Sequence, residues 1–240
     1  MKKKNHIEFD PDRHKYKNTN TNEYYSGVTT WISSIKHPFD GSTVATQKRL
    51  GITHEEVLAL WAKKNKLSTD RGTWIHNRCE DYLLADGYQA RLKIKLENKK
   101  NEWYKDIPFK YLDKLIKKKC KLHIEDILYH DGWKISGQSD LVLEYKNHIE
   151  IEDWKTNEKE ELNKVMWYTK KFKTAFTELD ETSYNEYAIQ LVVYGIMAEI
   201  YYGKPCKKFT INHLYNGFRQ YVIEKELVEY IRSVIKTLFI

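Results

Sequence analysis

The chain has 240 residues, 41% of them hydrophobic and 14% aromatic, which is enough for a sizeable core and argues against disorder. Its net charge of +7 favours a polyanionic partner, and the stretch 91–121, with twelve Lys or Arg against four Asp or Glu, carries more than that whole imbalance. Only Cys79, Cys120 and Cys206 occur, which excludes a four-cysteine iron–sulfur or zinc site and a disulfide framework.

The opening "MKKKNHIEFD" lacks the apolar stretch of a signal peptide. The most apolar run, 187–203, is broken by Gln190 and Glu199 and is short for a bilayer span. A cytoplasmic protein with no membrane partner is therefore expected.

In chain order, "IEFDPDRHKYKNTNTNEYYSGVTTWI" predicts a hairpin with a polar tip and then a strand-to-helix transition. Thr29 or Thr30 would cap a helix starting near Trp31. "TVATQKRLG" and "THEEVLALWAKKN" predict two further helices, the second with Thr53 and Glu56 at capping-box spacing. "STDRGTWIHNRCEDYLLADG" predicts another, with a stripe of Trp74, Ile75, Cys79, Tyr82 and Leu83 and a stop at Gly87.

Within the basic stretch, Phe109, Leu112, Leu115 and Ile116 mark an amphipathic helix. Three consecutive strands follow over 122–156, with turns at "HDG" and near "KNH", then a helix over roughly 181–202. A strand pair around "YNG" and an amphipathic helix complete the pattern. One α/β domain is expected, a central mixed β-sheet flanked by helices. Its parts would be a hairpin and helices (1–70), a core (71–202) with a basic insertion (88–121), and terminal strands and helix (203–240).

The stretch "SGQSDLVLEYKNHIEIEDWKTN" places charges inside strands, where an unpaired charge is costly. Alternation puts Ile149, Ile151, Asp153 and Lys155 on one face and Glu150, Glu152 and Trp154 on the other. A two-residue turn at Lys146–Asn147 would set Asp140 opposite Asp153; a three-residue turn would pair it with Trp154 instead. Two carboxylates and an amine on one face could hold Mg²⁺ or Mn²⁺, with the lysine orienting water or offsetting charge on a phosphoryl group. A salt-bridged sheet surface is the competing explanation. Glu144 and Glu152 are expected to be solvated.

"GQSD" followed by "EDWKT" resembles the PD-(D/E)xK nuclease superfamily, with Asp140 and Asp153 matching its acids and Lys155 its lysine. Ser139 stands where that family has proline. "RGTWIHNRCEDYL" resembles the G-T-x-x-H-x-x-x-E helix of the RecB-like exonuclease branch, and "YAIQLVVYG" its Q-x-x-x-Y helix. "YYSGVTTWIS" is a looser likeness to the S-V-T segment of phage exonucleases and the mitochondrial genome maintenance exonuclease. The four segments run in the family's order over about 24–202, and the cysteine count restricts the likeness to members without an iron–sulfur cluster.

The resemblance implies a restriction-endonuclease-like core with N-terminal helical additions, and a Mg²⁺- or Mn²⁺-dependent exonuclease acting in DNA processing, repair or recombination. His76, Asp140, Asp153 and the backbone carbonyl of Trp154 would bind metal, and Lys155 would position or activate water. Glu80, Glu125, Gln190 and Tyr194 would support the site, Glu125 indirectly and Gln190 by holding the lysine or DNA. Lys117, Lys118 and Lys119 would track DNA phosphates, amid aromatics suited to stacking on unpaired bases. DNA with single-stranded ends is the implied partner, together with an accessory recombination or replication protein. The alternatives are a non-catalytic nucleic-acid-binding module on a nuclease scaffold and a structure-specific endonuclease.

Overall fold

The computed structural model describes residues 6–10, 13, 15–38, 43–159, 161–166 and 169–239. Residues 39–42, in the segment "HPFDGST" that follows the first helix, lie outside them. Among the described residues, eight strands and seven α-helices follow one another: β1 (Ile7–Asp10), β2 (Lys15–Asn18), β3 (Tyr24–Gly27), α1 (Val28–Ile35), α2 (Thr43–Leu50), α3 (His54–Leu84), α4 (Gly87–Asn98) and α5 (Phe109–Ile116). Then come β4 (Lys121–His130), β5 (Ile135–Glu144), β6 (Ile149–Lys155), α6 (Ser183–Tyr202), β7 (Cys206–Leu214), β8 (Phe218–Val222) and α7 (Lys225–Leu238). No described helix is long and apolar enough to cross a membrane.

The strands form one mixed sheet in the order β1-β2-β3-β5-β6-β7-β8, with β4 paired to β5 outside that path. β6 and β7 are parallel, so the chain must cross over between them, and α6 is that crossover. α6 is apolar nearly all round, because it is buried on most sides: Ala188, Ile189, Leu191, Val192, Val193, Met197 and Ala198 are all inaccessible or nearly so. With α1 and α7 it covers one sheet face, built on Val142, Ile149, Ile151 and Ile211. The other face, carrying Leu141, Leu143, Trp154 and Leu214, is covered by Ile75, Cys79 and Tyr82 of α3 and Leu112 and Leu115 of α5.

This two-sided covering corrects one expectation. Glu152 is only 1% exposed, not solvated, and Glu144 is half-buried between His123 and Lys204. Alternating polar residues signal a wet face only when that face lacks a covering layer. Here α3 and α5 supply one.

The helices depart from expectation at three boundaries. α1 begins at Val28 behind Gly27, with no side-chain cap from Thr29 or Thr30, because Val28 and Ile32 are needed in the core. The two helices expected over 53–84 are one 31-residue helix, α3, started by a complete Thr53–Glu56 capping box. "NKLSTDRG" contains no proline, so a single glycine and polar residues weaken the helix without breaking it. Gly87 does not terminate that helix; at φ +77° it opens α4 after a turn through Ala85 and Asp86.

Candidate metal and phosphate site

β5 is longer than any strand beside it except β4, which matches it. Its first residues, Ile135 and Ser136, pair with β3, and its last, Leu141–Glu144, pair with β6. Gly137 to Asp140 lie in the gap where β3 has ended and β6 has not yet joined. Tyr194 of α6 wedges into this fork. A Cβ on Gly137 would come within 2.7 Å of its ring, so only glycine fits there.

The turn between β5 and β6 has two central residues, Lys146 and Asn147, closed by Tyr145 N–H donating to His148 O at 2.9 Å. The pairs Leu141↔Glu152 and Val142↔Ile151 then bring Asp140 level with Asp153. On the other side, Ile124↔Leu141 and Asp126↔Ser139 bring it level with Glu125 of β4. Three acids therefore stand in a row across three strands. Like charges directly opposite one another in a sheet are destabilising, so the row requires cations.

Two come from the chain. His76 Nδ1 of α3 is 3.6 Å from Asp140 Oδ2, and Lys155 Nζ is 2.6 Å from Asp153 Oδ2. Asp140 also accepts the backbone N–H of Trp154 at 2.7 Å, in place of a ladder bond. Lys155 donates to Gln190 Oε1 at 3.0 Å and lies 4.6 Å from the centre of the Tyr187 ring. Gln190 in turn donates to Tyr194 Oη at 3.3 Å, so the fork wedge and the lysine share one network.

The protonation of the site follows from this crowding. Burial would lower the His76 pKa, but the charge of Asp140 overrides it and raises it to about 9. Burial raises Asp140, and His76 more than reverses that, holding it below the usual carboxylate range. Asp153 is pushed up to about 6 by burial and by Asp140, against the pull of Lys155. Glu125 is pushed up to about 8 by burial and by Asp140, against the pull of His76. Desolvation would lower Lys155, but Asp153 and Asp140 outweigh it and raise the amine.

Among the described residues, His76, Glu125 and Asp140 offer one donor atom each within 4.8 Å of one another. Asp153 stands outside that trio, tied to Lys155, and Glu125 is a direct member instead of an indirect neighbour. Glu125 breaks the β4 ladder with φ +51°, a strained conformation for glutamate, and its carbonyl accepts from Gln138 Nε2 at 3.1 Å. An open cleft of about 450 Å³ leads to the trio, bordered by Gly72, His76, Glu80, Glu125 and Gln138.

The structure also reveals Arg71, which no motif in the sequence singles out. Its guanidinium is buried, donating to Thr156 O at 3.0 Å, Leu214 O at 2.9 Å and Asp106 Oδ2 at 3.0 Å. It fixes α3 against the ends of β6 and β7. A signal was present: Arg71 extends the Ile75, Cys79, Tyr82 stripe back by one turn, and an arginine on a buried stripe implies a partner.

Lys117, Lys118 and Lys119 are not brought to this site. They precede β4, whose Lys121 pairs with Glu144, so they sit at the β5–β6 turn end of the sheet, away from Lys155. Lys118 leans toward Glu152 Oε1 at 3.7 Å and Glu150 Oε2 at 4.0 Å, while Lys117 and Lys119 stay closer to solvent.

No family model and no curated protein matches this chain. The crystal structure of SSO0001 is 13% identical over 68% of this chain and 84% of its own, with a TM-score of 0.30, too low to carry an argument about fold or activity. The architecture itself is plain: a mixed α/β protein whose eight-stranded sheet is flanked by helices, with a crowded acid–base cluster at the sheet's internal fork.

Proposed function

We propose that this protein is a metal-dependent nuclease that hydrolyses phosphodiester bonds in DNA, working from a strand end. The observation that carries this proposal is the meeting of His76, Glu125 and Asp140 beside the Asp153–Lys155 pair, at the fork where β5 passes from β3 to β6.

The donor set fits a divalent cation. Two carboxylates supply hard oxygens for Mg²⁺ or Mn²⁺, and an imidazole is better matched to Mn²⁺. Such an ion, when bound, polarises a phosphoryl oxygen and lowers the pKa of coordinated water. His76, Glu125 and Asp140 would hold it, with Asp153 and the Trp154 carbonyl close by on β6. Glu80, one turn beyond His76, borders the same cleft.

The chain's own residues would do the remaining work. Lys155 stays protonated because its neighbours raise its pKa, so it serves as a fixed cation toward charge building on the phosphoryl oxygens. Gln190 and Asp153 hold its ammonium from two sides, limiting the reorganisation required during reaction. Gln190 is itself oriented by Tyr194, whose ring is packed against Gly137.

The test uses 5′- and 3′-labelled single- and double-stranded DNA and a closed circle, incubated with Mg²⁺ or Mn²⁺ and wild type or Lys155→Ala. Loss of linear substrate only, abolished by the substitution, is the expected result and gives the polarity. Cutting of the circle would replace the exonuclease with an endonuclease. Binding without cleavage by the wild type would replace both with a recruited nucleic-acid-binding module.

A further inference from the structure

The basic run 91–121 is the conspicuous phosphate-binding candidate in the sequence, yet a different group of cations lies next to Lys155. Between β6 and α6 the chain folds back over α1. Leu162, Phe172 and Phe176 anchor this connection in the main core. Backbone bonds from Tyr184 N to Leu162 O and from Lys173 N to Ile35 O, both 3.0 Å, fix it to α6 and α1. The connection, α1 and the start of α6 enclose an open cavity of about 870 Å³, much larger than the cleft at the acid row.

Lys36, His37, Lys159, Lys164 and Lys170 line it, contributed by two well-separated parts of the chain. Lys36 and His37 are matched by Glu186 and Glu181 at 2.6 and 2.9 Å. Lys159 and Lys164 are not matched in this way. Lys159 Nζ bonds the Ser183 hydroxyl at 2.6 Å, and Lys164 has no ion pair among the described residues. Among the described residues, Glu161 is the remaining acid on the wall, so the unmatched charge they carry is positive.

This cavity connects to the candidate site through α6. Ser183 is on its wall, Tyr187 follows one turn later under Lys155 Nζ, and Gln190 bonds that same amine. Ser183 and Gln190 are about 10 Å apart along the helix, at 1.5 Å per residue. From this we infer that the cavity is a second anion site, which binds backbone phosphates of the nucleic-acid strand adjoining the phosphate held at Lys155. The inference rests on the nuclease proposal and deepens it by giving the strand its direction across the protein, from the fork along α6 toward α1.

The experiment measures anisotropy of a labelled single-stranded oligonucleotide in Ca²⁺ across a salt series, with Mn²⁺-dependent cleavage recorded in parallel. Lys159→Ala/Lys164→Ala should bind several-fold more weakly, and its salt slope should fall by about 0.7 for each phosphate that the variant no longer neutralises. Lys164→Glu alone should also weaken binding, and it leaves the Lys159–Ser183 bond intact. Unchanged affinity and slope in both variants, while wild type binds and cleaves, would overturn this inference and leave the nuclease proposal standing. A loss confined to Lys117→Ala/Lys119→Ala would overturn it in favour of the other basic region. A wild type that neither binds nor cleaves would overturn both proposals.

Discussion

Glu152 and Asp153 are neighbours on β6, almost equally buried, and they face opposite layers of the molecule. Glu152 points toward α5, where Tyr111 Oη and Asn212 Nδ2 both donate to its Oε2, and Asn212 is held in turn by Gln220. Neutral donors thus satisfy that oxygen, and Lys118 supplies a nearby charge. Asp153 points toward α6 and has a lysine on one side and a like charge, Asp140, on the other. Burial and that like charge together raise its pKa. A buried carboxylate surrounded by donors stabilises a fold, whereas one set against another carboxylate leaves the arrangement incomplete until a cation or substrate arrives.

Substituting each in turn should separate the two roles. The largest effect is expected from Asp153→Asn, which should reduce Mn²⁺-dependent cleavage of labelled DNA by about 10²–10⁴-fold, the range for losing a positioned catalytic group. Its urea midpoint should stay near wild type, since an amide relieves the repulsion with Asp140. Full cleavage by that variant would remove Asp153 from the site.

Glu152→Ala should do the reverse. Leaving Tyr111 and Asn212 without their acceptor should cost about 2–3 kcal/mol in urea unfolding, while cleavage per folded molecule is kept. If activity falls while stability holds, the distinction between the two faces is wrong.

A separate effect is expected from pH. A cation entering the trio must displace protons from groups raised above neutrality, His76 at about 9 and Glu125 at about 8, while Asp153 at about 6 loses its proton first. Mn²⁺ affinity, followed by calorimetry, should therefore rise between pH 6 and pH 9, about tenfold per pH unit for each proton released. A flat profile would mean that these groups do not hold the ion. The smallest effect, about 1 kcal/mol, should come from Tyr111→Phe in urea unfolding, because it removes one donor from Glu152 and leaves Asn212 in place.

The same pair of residues shows how far the sequence could be read. Alternation placed Asp153 and Lys155 together and Glu152 with Trp154, and the two-residue turn set Asp140 level with Asp153. Those are local rules with a period of two. Whether Glu152 would be wet depended on what lay above its face, and that was decided by α3 and α5, tens of residues upstream. Glu125 was noticed as an acid, but its place beside His76 and Asp140 depends on a left-handed residue interrupting β4, which no propensity foretells. The lysines divide in the same way. A dense run is conspicuous in sequence, while Lys36, Lys159 and Lys164 become a group only when the β6–α6 connection folds back over α1.

The length of α3 has a mechanical consequence. Before Arg71, Val57 is its one fully buried residue, whereas from Arg71 onward the helix is bolted to the sheet. Amide hydrogen exchange along this one helix should therefore not be uniform. Residues before Arg71 can open from the capped end at little free-energy cost, and opening should stop at the guanidinium, since passing it breaks three hydrogen bonds together, two of them buried. His76 lies five residues inside that stop. The outer turns of α3 can thus loosen and re-form while the residue that neutralises Asp140 stays where it is.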